Sequence, residues 1–433
     1  MKEDDAQLAP EESPRPCGGL EDTGEGTLRL GIDASNLRRG GGITHLASLL
    51  SAMRPWEHGV DRVVVWGGEK TLKALAVAGW LQKEHDRLLD GPLAQRAYWQ
   101  WRILPRLARA RVDILFLPGG SGVAGFRPYV AMSQNLLPFQ PREMRRYGVS
   151  WMRLKLRLLR VVQGRTFRRA DGVIFLNEYA RDVVSGRLGY GPGRVAVIPH
   201  GCEERFRYKP RPQRSIGEYS VQSPFRILYV STIDQYKHPW HVCRAVALLR
   251  RRGLPITLTL VGSGYGPALG RLRKTVLEAD PSGEFLDYHG TVEHEEVAAV
   301  YRTADLFVFA SSCENFPIIL MEAMASGLPI ACSATPPMPA ILGDAGVYFD
   351  AESPEEIAGA LETLIARPDL RVRNAQLAYD RAQNYTWERC ASETLDFIVS
   401  VGRAVRGRKQ EPLAVAPAEN TARSTPERCE GLS

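Results

Sequence analysis

Residues 311–331 read S-S-C-E-N-F-P-I-I-L-M-E-A-M-A-S-G-L-P-I-A, and this stretch decides the fold. The apolar run Leu306–Ala310 leads into it as a strand, Glu314-Asn315-Phe316-Pro317 turns the chain, and the residues up to Gly327 read as a helix. Pro317 suits the first helical turn, where its missing N–H costs nothing, and Gly327 followed by Pro329 stops the helix. A strand that runs into a helix at the carboxyl edge of a parallel sheet turns free backbone N–H groups, and the positive end of the helix dipole, towards an anion such as phosphate. Glu314 and Glu322 bracket that position. Eight residues apart, they would lie about 80° from one another around a helix and roughly two turns along it. Each carboxylate accepts hydrogen bonds from O–H donors and can take two neighbouring hydroxyls at once, as on a sugar. The plainer alternative is that Glu314 caps the helix and Glu322 is an ordinary exposed residue.

The same alternation of strand and helix runs through most of the 433 residues, and it occurs twice. Strands are expected at 28–33, 60–66, 114–117, 129–132, 172–176 and 195–198, then at 226–230, 257–261, 285–289, 306–310, 329–332 and 347–349. The expected fold is α/β, with two Rossmann-like βαβ domains, 27–208 and 225–383, facing across a cleft. Residues 209–224, rich in Pro, Ser, Gln and Arg, read as the linker, and 384–406 as a final amphipathic helix. The polar tails 1–26 and 407–433 lack periodicity and are expected to be disordered.

Apolar residues make up 44% and charged residues 24%, which excludes a disordered, fibrous or coiled-coil chain. No apolar run approaches the ~18 residues of a membrane span, and the acidic start lacks the order of a signal peptide, so a cytoplasmic protein is expected. Seven cysteines occur singly without a C-x-x-C, which fits reduced thiols, and no metal site is expected. The net charge of +7 is local: residues 96–170 hold sixteen Lys or Arg against Asp113 and Glu143, a balance of +14, whereas residues 1–26 carry −6.

The 311–331 block resembles the E-x7-E signature of the family 4 glycosyltransferases, retaining enzymes of the GT-B fold, and the likeness covers 226 to about 386. It implies that Glu314 contacts the transferred sugar, that Glu322 contacts the ribose, and that the backbone around Asn315, Phe316, Pro317 and Ile318 faces sugar and phosphate. The family usually has Gly where this chain has Asn315. R-I-L-Y-V-S-T-I-D-Q-Y-K-H-P (226–239) resembles the loop in which an Arg and a Lys hold the donor diphosphate. Lys237 occupies the Lys position and Thr232 stands where Arg is usual. Gly262 ends another strand, and His289-Gly290-Thr291-Val292 resembles the segment that packs on the base, although either is also read as a simple turn. The resemblance implies retaining transfer of a hexose from a nucleotide sugar, GDP-mannose first and a UDP-sugar as the alternative, with no cofactor. It is similar to bacterial surface-polysaccharide mannosyltransferases, which implies a glycan or polyprenyl-diphosphate-linked acceptor. The competing reading is a non-catalytic GT-B subunit of a membrane-associated polysaccharide assembly complex.

In the first half, Arg39-Gly40-Gly41-Gly42-Ile43-Thr44-His45 forms a Gly-rich first βα turn whose amides at Gly41 and Gly42 can approach a diphosphate or acceptor. It is not the G-x-G-x-x-G dinucleotide fingerprint. Ser133-Gln134-Asn135 lies at the family's acceptor-side loop, and the His often found there is missing. His45 and His200 read as packing residues. On a helical wheel Arg142, Arg146, Arg153, Arg157 and Arg160 share one face, and Trp151, Leu154, Leu158, Val161 and Val162 an adjoining one. Arg146, Arg153 and Arg157 are therefore expected to face an anionic membrane, at the inner face of the plasma membrane, with the protein attached peripherally. The alternative is a solvated helix with its apolar face in the domain core. No nucleic-acid motif accompanies the charge, so no nucleic-acid partner is expected.

Overall fold

The structure, a computed structural model, describes residues 27–410 apart from 39, 123–124, 190–192 and 294–295. The acidic tail 1–26, most of the 407–433 tail and Arg39 therefore lie outside the described residues. The first sheet has seven strands: β1 (Leu28–Asp33), β2 (Val60–Gly67), β3 (Leu81–His85), β4 (Ile114–Leu117), β5 (Tyr129–Ser133), β6 (Gly172–Phe175) and β7 (Val195–Val197). Their spatial order is β3-β2-β1-β4-β5-β6-β7. Six strands build the second: β8 (Phe225–Val230), β9 (Ile256–Val261), β10 (Leu286–Gly290), β11 (Leu306–Phe309), β12 (Ile330–Ser333) and β13 (Gly346–Phe349), ordered β10-β9-β8-β11-β12-β13. Every pairing is parallel.

β4 (I-L-F-L), β11 (L-F-V-F) and β12 (I-A-C-S) are buried at every position, as strands covered by helices on both faces must be. β3 is the strand that the sequence pattern misses. Its L-Q-K-E-H lies at the sheet edge, paired with β2 in register Val63↔Leu81. Polar and charged residues on an edge discourage pairing with another chain, and they also erase the apolar signal.

In each sheet the strand order reverses between two neighbours, β1 and β4 in the first and β8 and β11 in the second. Loops leaving the carboxyl ends of such a pair open a crevice. The segment after β7 crosses to the second domain, where Tyr208 N–H donates to Ala325 O at 2.9 Å. Residues 209–224 then lie on that domain: Arg211 pairs with Asp305 at 3.1 Å, and buried Arg371 donates to Gln213 Oε1 at 3.0 Å. The last helix, Trp387–Gln410, returns to the first domain, with Phe397 and Val401 packed over Gly172 and Arg406 paired with Asp113 at 2.9 Å. One apolar cluster runs from β1 through Ile198, Cys202 and Phe206 to the helix Ile318–Ala325 and Trp387, so the two domains share a core along their hinge.

The basic stretch is not one helix. A short helix, Pro141–Arg145, ends before Gly148, which takes φ +56, a conformation open to glycine, and a second begins at Trp151 and runs to Arg169. Ser150 caps it, its Oγ accepting from Arg153 N–H at 3.3 Å.

Candidate active site

Lys237 leaves the loop after β8 and Glu314 the loop after β11, the two strands of the second sheet's switch point, and their side chains form an ion pair only 8% and 11% exposed. The Lys237 loop is fixed by its own backbone: its N–H donates to Asp234 O at 3.1 Å and its carbonyl accepts from Tyr229 Oη at 2.6 Å. The ammonium also lies 5.4 Å from the ring centres of Phe309 and Tyr236. Gly262 has φ +136, and a Cβ there would overlap Ser231 O, so this glycine lets the β9 loop press against the start of the Lys237 loop. Thr232 and Thr291 are exposed beside these loops. The arrangement holds a cation for a phosphate next to a carboxylate for hydroxyls.

The two glutamates do not share a helix. Glu314 precedes the helix in the loop, Asn315 and buried Phe316 follow, and Pro317 stands just ahead of the first helical residue, Ile318. Glu322 alone is helical, and at 7% exposure it accepts from Tyr301 Oη at 3.0 Å. Burial and the Glu322 carboxylate together drive the Tyr301 phenol well above its usual range, so it remains a donor.

Asn315 faces the other domain. Its Nδ2 donates to Ser133 O at 2.6 Å, and its carbonyl accepts from Asn177 Nδ2. Four further polar contacts cross the cleft: Tyr147 Oη to Asp234 Oδ1 at 2.7 Å, Ser312 Oγ to Glu143 Oε2 at 2.6 Å, Arg146 Nη1 to Glu352 Oε2 at 3.0 Å, and Arg142 Nη2 to Glu352 Oε1 at 3.2 Å. Arg146 is thus not membrane-facing; it is clamped between Glu143 (2.6 Å) and Glu352, because the chain turns at Gly148 and carries it onto the cleft side. Burial opposes its charge, and the two carboxylates outweigh that and raise its pKa, while hydrogen bonding to Arg146 pulls Glu352 down to about 2. His238, against Ser312 Oγ at 2.9 Å, is pushed down to about 3 by burial and Arg146. None of this clamp was legible, because pairs such as Arg146 and Glu352 are far apart in sequence.

On the facing side, the helix Gly41–Ala52 begins on glycines without a side-chain cap. Gly41 is exposed, and Gly42 lies near Gln134 Oε1, 3.5 Å from where a Cβ would sit. Asn135 is exposed but its Oδ1 caps its own turn, accepting from Leu137 N–H at 3.1 Å. Asp33, at the end of β1, was not anticipated: it accepts from Gln100 Nε2 at 2.6 Å, and burial raises its pKa. His45 and His200 are buried under the cleft, with ring centres 4.4 Å apart and against Trp387 and Phe316. Burial lowers His45 to about 3 and His200 well below its usual value, so both pack as neutral rings.

In the Trp151–Arg169 helix, Arg157 is exposed and Arg153 half-buried, its guanidinium on Gly148 O at 3.2 Å. The apolar face does not enter the domain core. Trp151, Leu154, Leu158, Val161 and Val162 are all exposed, Trp151 by 76%, and the buried face is carried by Leu156, Gln163, Gly164, Thr166 and Phe167. Among the described residues no helix is long and apolar enough to cross a membrane.

Two parallel α/β domains whose switch-point loops face one another, with a Lys–Glu pair on one side, define a GT-B protein. Residues 39–206 match the description Glycosyltransferase Family 4, and residues 217–381 match Glycosyl transferases group 1. The chain belongs to the family 4 glycosyltransferases. It is 30% identical over 226 residues to a D-inositol 3-phosphate glycosyltransferase of Pseudarthrobacter chlorophenolicus, across 50% of this chain and 52% of that protein. It is 23% identical over 231 residues to the O-antigen chain mannosyltransferase B of Escherichia coli, across 52% and 59%. The chain spans about half the length of the curated relatives it matches. Its fold is like that of Anabaena HepE, solved in complex with UDP and glucose, with a TM-score of 0.63 at 16% identity over 88% of this chain and 99% of that one.

Proposed function

We propose that the protein transfers a hexose, with retention, from a nucleotide sugar to a glycan or polyprenyl-diphosphate-linked acceptor while attached peripherally to the inner face of an anionic membrane. The observation that carries this reading is the buried Lys237–Glu314 pair at the β8/β11 switch point. Lys237 offers a fixed positive charge where a leaving diphosphate gains negative charge, a contribution that is large because it needs no reorganisation. Glu314 takes hydroxyls of the moving sugar and Glu322 those of the ribose, with the amides ahead of the Ile318–Ala325 helix facing the phosphates. No side chain is assigned as nucleophile; the acceptor hydroxyl attacks on the face the phosphate leaves, and that phosphate takes its proton. Similarity to an O-antigen mannosyltransferase supports GDP-mannose as donor, and the UDP and glucose held by HepE support a UDP-sugar as the alternative. The exposed apolar face beside Arg157 supports attachment to anionic lipid.

Thermal shift against a panel of nucleotide sugars tests the reading, because a ligand bound only by the folded state stabilises by RT ln(1 + [L]/Kd). One base and one sugar should stabilise the protein, and Glu322→Gln should remove most of that shift. The absence of a shift with every nucleotide sugar would overturn the proposal.

A further inference from the structure

The amino edge of the first sheet, opposite the cleft, holds a cavity of about 840 Å3 lined by Arg109, Arg127, Arg169 and Arg406. It sits below the starts of β4 and β5, with Asp113 and Tyr129 in its wall. Three of the four arginines are held in place. Arg127 pairs with Asp171 at 2.6 Å, Arg406 pairs with Asp113 at 2.9 Å, and the Arg109 guanidinium donates to Gly125 O. Arg109 and Arg169 meet no carboxylate among the described residues, so the cavity keeps an uncompensated positive charge.

A separate, smaller cavity of about 240 Å3 shares Tyr129 and Arg169 in its wall and adds Trp101, Val162 and Arg165. Here the wall is partly apolar: Trp101 is 61% exposed, and Val162 is the last residue of the exposed stripe on the Trp151–Arg169 helix. At 100° per residue, Trp151, Leu154, Leu158, Val161 and Val162 fall within an arc of about 100°, and Arg165 and Arg169 continue the same arc. One helix face is therefore apolar for its first three turns and cationic for its last two. The helix is about 28 Å long, so the face runs the depth of the domain from the cleft side to the arginine cavity.

We infer that this cavity is a binding site for the headgroup of an anionic phospholipid, whose acyl chains lie along the apolar stripe. The inference rests on the membrane attachment proposed above and gives it a defined ligand. The guanidinium forks match the oxygens of a phosphate, and the exposed stripe that reaches the smaller cavity beside it favours a phosphate carrying chains over a free one. Such a site lies apart from the Lys237–Glu314 pair, and it would orient the domain so that the cleft mouth and the cavity meet the same bilayer.

The test uses the full chain and dihexanoyl-phosphatidylglycerol below its critical micelle concentration, followed by titration calorimetry. One molecule should bind saturably, and glycerol phosphate and dihexanoyl-phosphatidylcholine should each bind about tenfold more weakly. Arg165→Gln/Arg169→Gln should weaken the phosphatidylglycerol about tenfold without changing the melting temperature, since neither side chain has an ion-pair partner among the described residues. Arg157→Gln/Arg160→Gln, on the same helix outside the cavity, should leave that affinity within twofold. Vesicle co-sedimentation separates the two proposals. Attachment to anionic vesicles without saturable short-chain binding, or short-chain binding untouched by the first double variant, overturns the site alone. Glycerol phosphate binding as tightly as the lipid overturns the lipid assignment, and no attachment to any vesicle overturns both proposals.

Discussion

The two domains meet along a hinge and across a cleft, and the two contacts differ in their balance of apolar and polar groups. At the hinge, His45, His200, Phe316, Trp387 and Phe206 belong to one buried mass, in which His200 lies 4.4 Å from His45, 5.6 Å from Phe316 and 5.9 Å from Trp387 between ring centres. Across the cleft polar contacts (Asn315 to Ser133, Tyr147 to Asp234, Ser312 to Glu143, and Arg142 and Arg146 to Glu352) surround one small apolar cluster, in which Leu137, Met144, Tyr147 and Leu156 meet Cys313, Tyr236 and Tyr265. Apolar contact is non-directional and survives a small rotation, whereas a hydrogen bond weakens steeply once its angle fails. The hinge, with by far the larger apolar core, is therefore the joint that holds, and the cleft, with one small apolar cluster among polar contacts, the one that opens more readily. Because Asp234 and Asn315 lie in the Lys237 and Glu314 loops themselves, closure brings the first domain directly onto the candidate donor-side residues.

The largest expected effect is at the hinge. Trp387→Ala should remove ~3–5 kcal/mol of stability, the usual cost of deleting a large core aromatic, read from denaturant unfolding. A loss below about 1 kcal/mol would mean that the two domains do not depend on this core. The second effect is on pH. With His45 held at about 3 and His200 well below its usual value, the unfolded state binds more protons than the folded one as pH falls below about 6.5. Stability should be fully present above that pH and be lost towards pH 5, at up to about 1.4 kcal/mol per pH unit for each ring. The slope should shrink in His200→Phe, which cannot charge; an unchanged slope would place the sensitivity elsewhere.

The cleft contacts should be weaker. Asn315→Gly deletes the bond to Ser133 O while sparing the carbonyl that Asn177 reaches, a net change of ~0.5–1.5 kcal/mol. Amide exchange at 133–137 should quicken several-fold without a comparable fall in global stability. Glu352→Gln should matter least, at about 1 kcal/mol or below, because the pair is partly exposed and screened. Its mark is salt: the wild-type radius of gyration should rise with ionic strength and the variant should start larger and respond less. If salt leaves both alike, the ion cluster is not what keeps the cleft shut.

The difference between hinge and cleft also sets what was legible in the sequence. The central strands announced themselves because a sheet covered on both faces needs unbroken apolar runs, such as Ile114–Leu117 and Leu306–Phe309. Leu81–His85 did not, since an edge strand can be polar. Glu314 and Glu322 stood out through their local spacing, and Lys237 through the likeness of its loop to the family's phosphate loop. The polar crossings were invisible: Arg146 was grouped with Arg153 and Arg157 by a wheel that ignored the turn at Gly148, and its partner lies 206 residues away. The apolar face of the Trp151–Arg169 helix was legible as a pattern, but only coordinates distinguish a stripe packed in the core from one facing outward.

The central claim is that Lys237, held against Glu314 at the switch point, stabilises the leaving group. The most direct measurement is kcat/KM for sugar transfer by Lys237→Ala, with the nucleotide sugar that best stabilises the wild type and with folding checked by thermal melting. A loss of ~2–4 kcal/mol in transition-state stabilisation, about 30- to 1000-fold in rate, is predicted. A folded variant within about threefold of wild type would contradict the account.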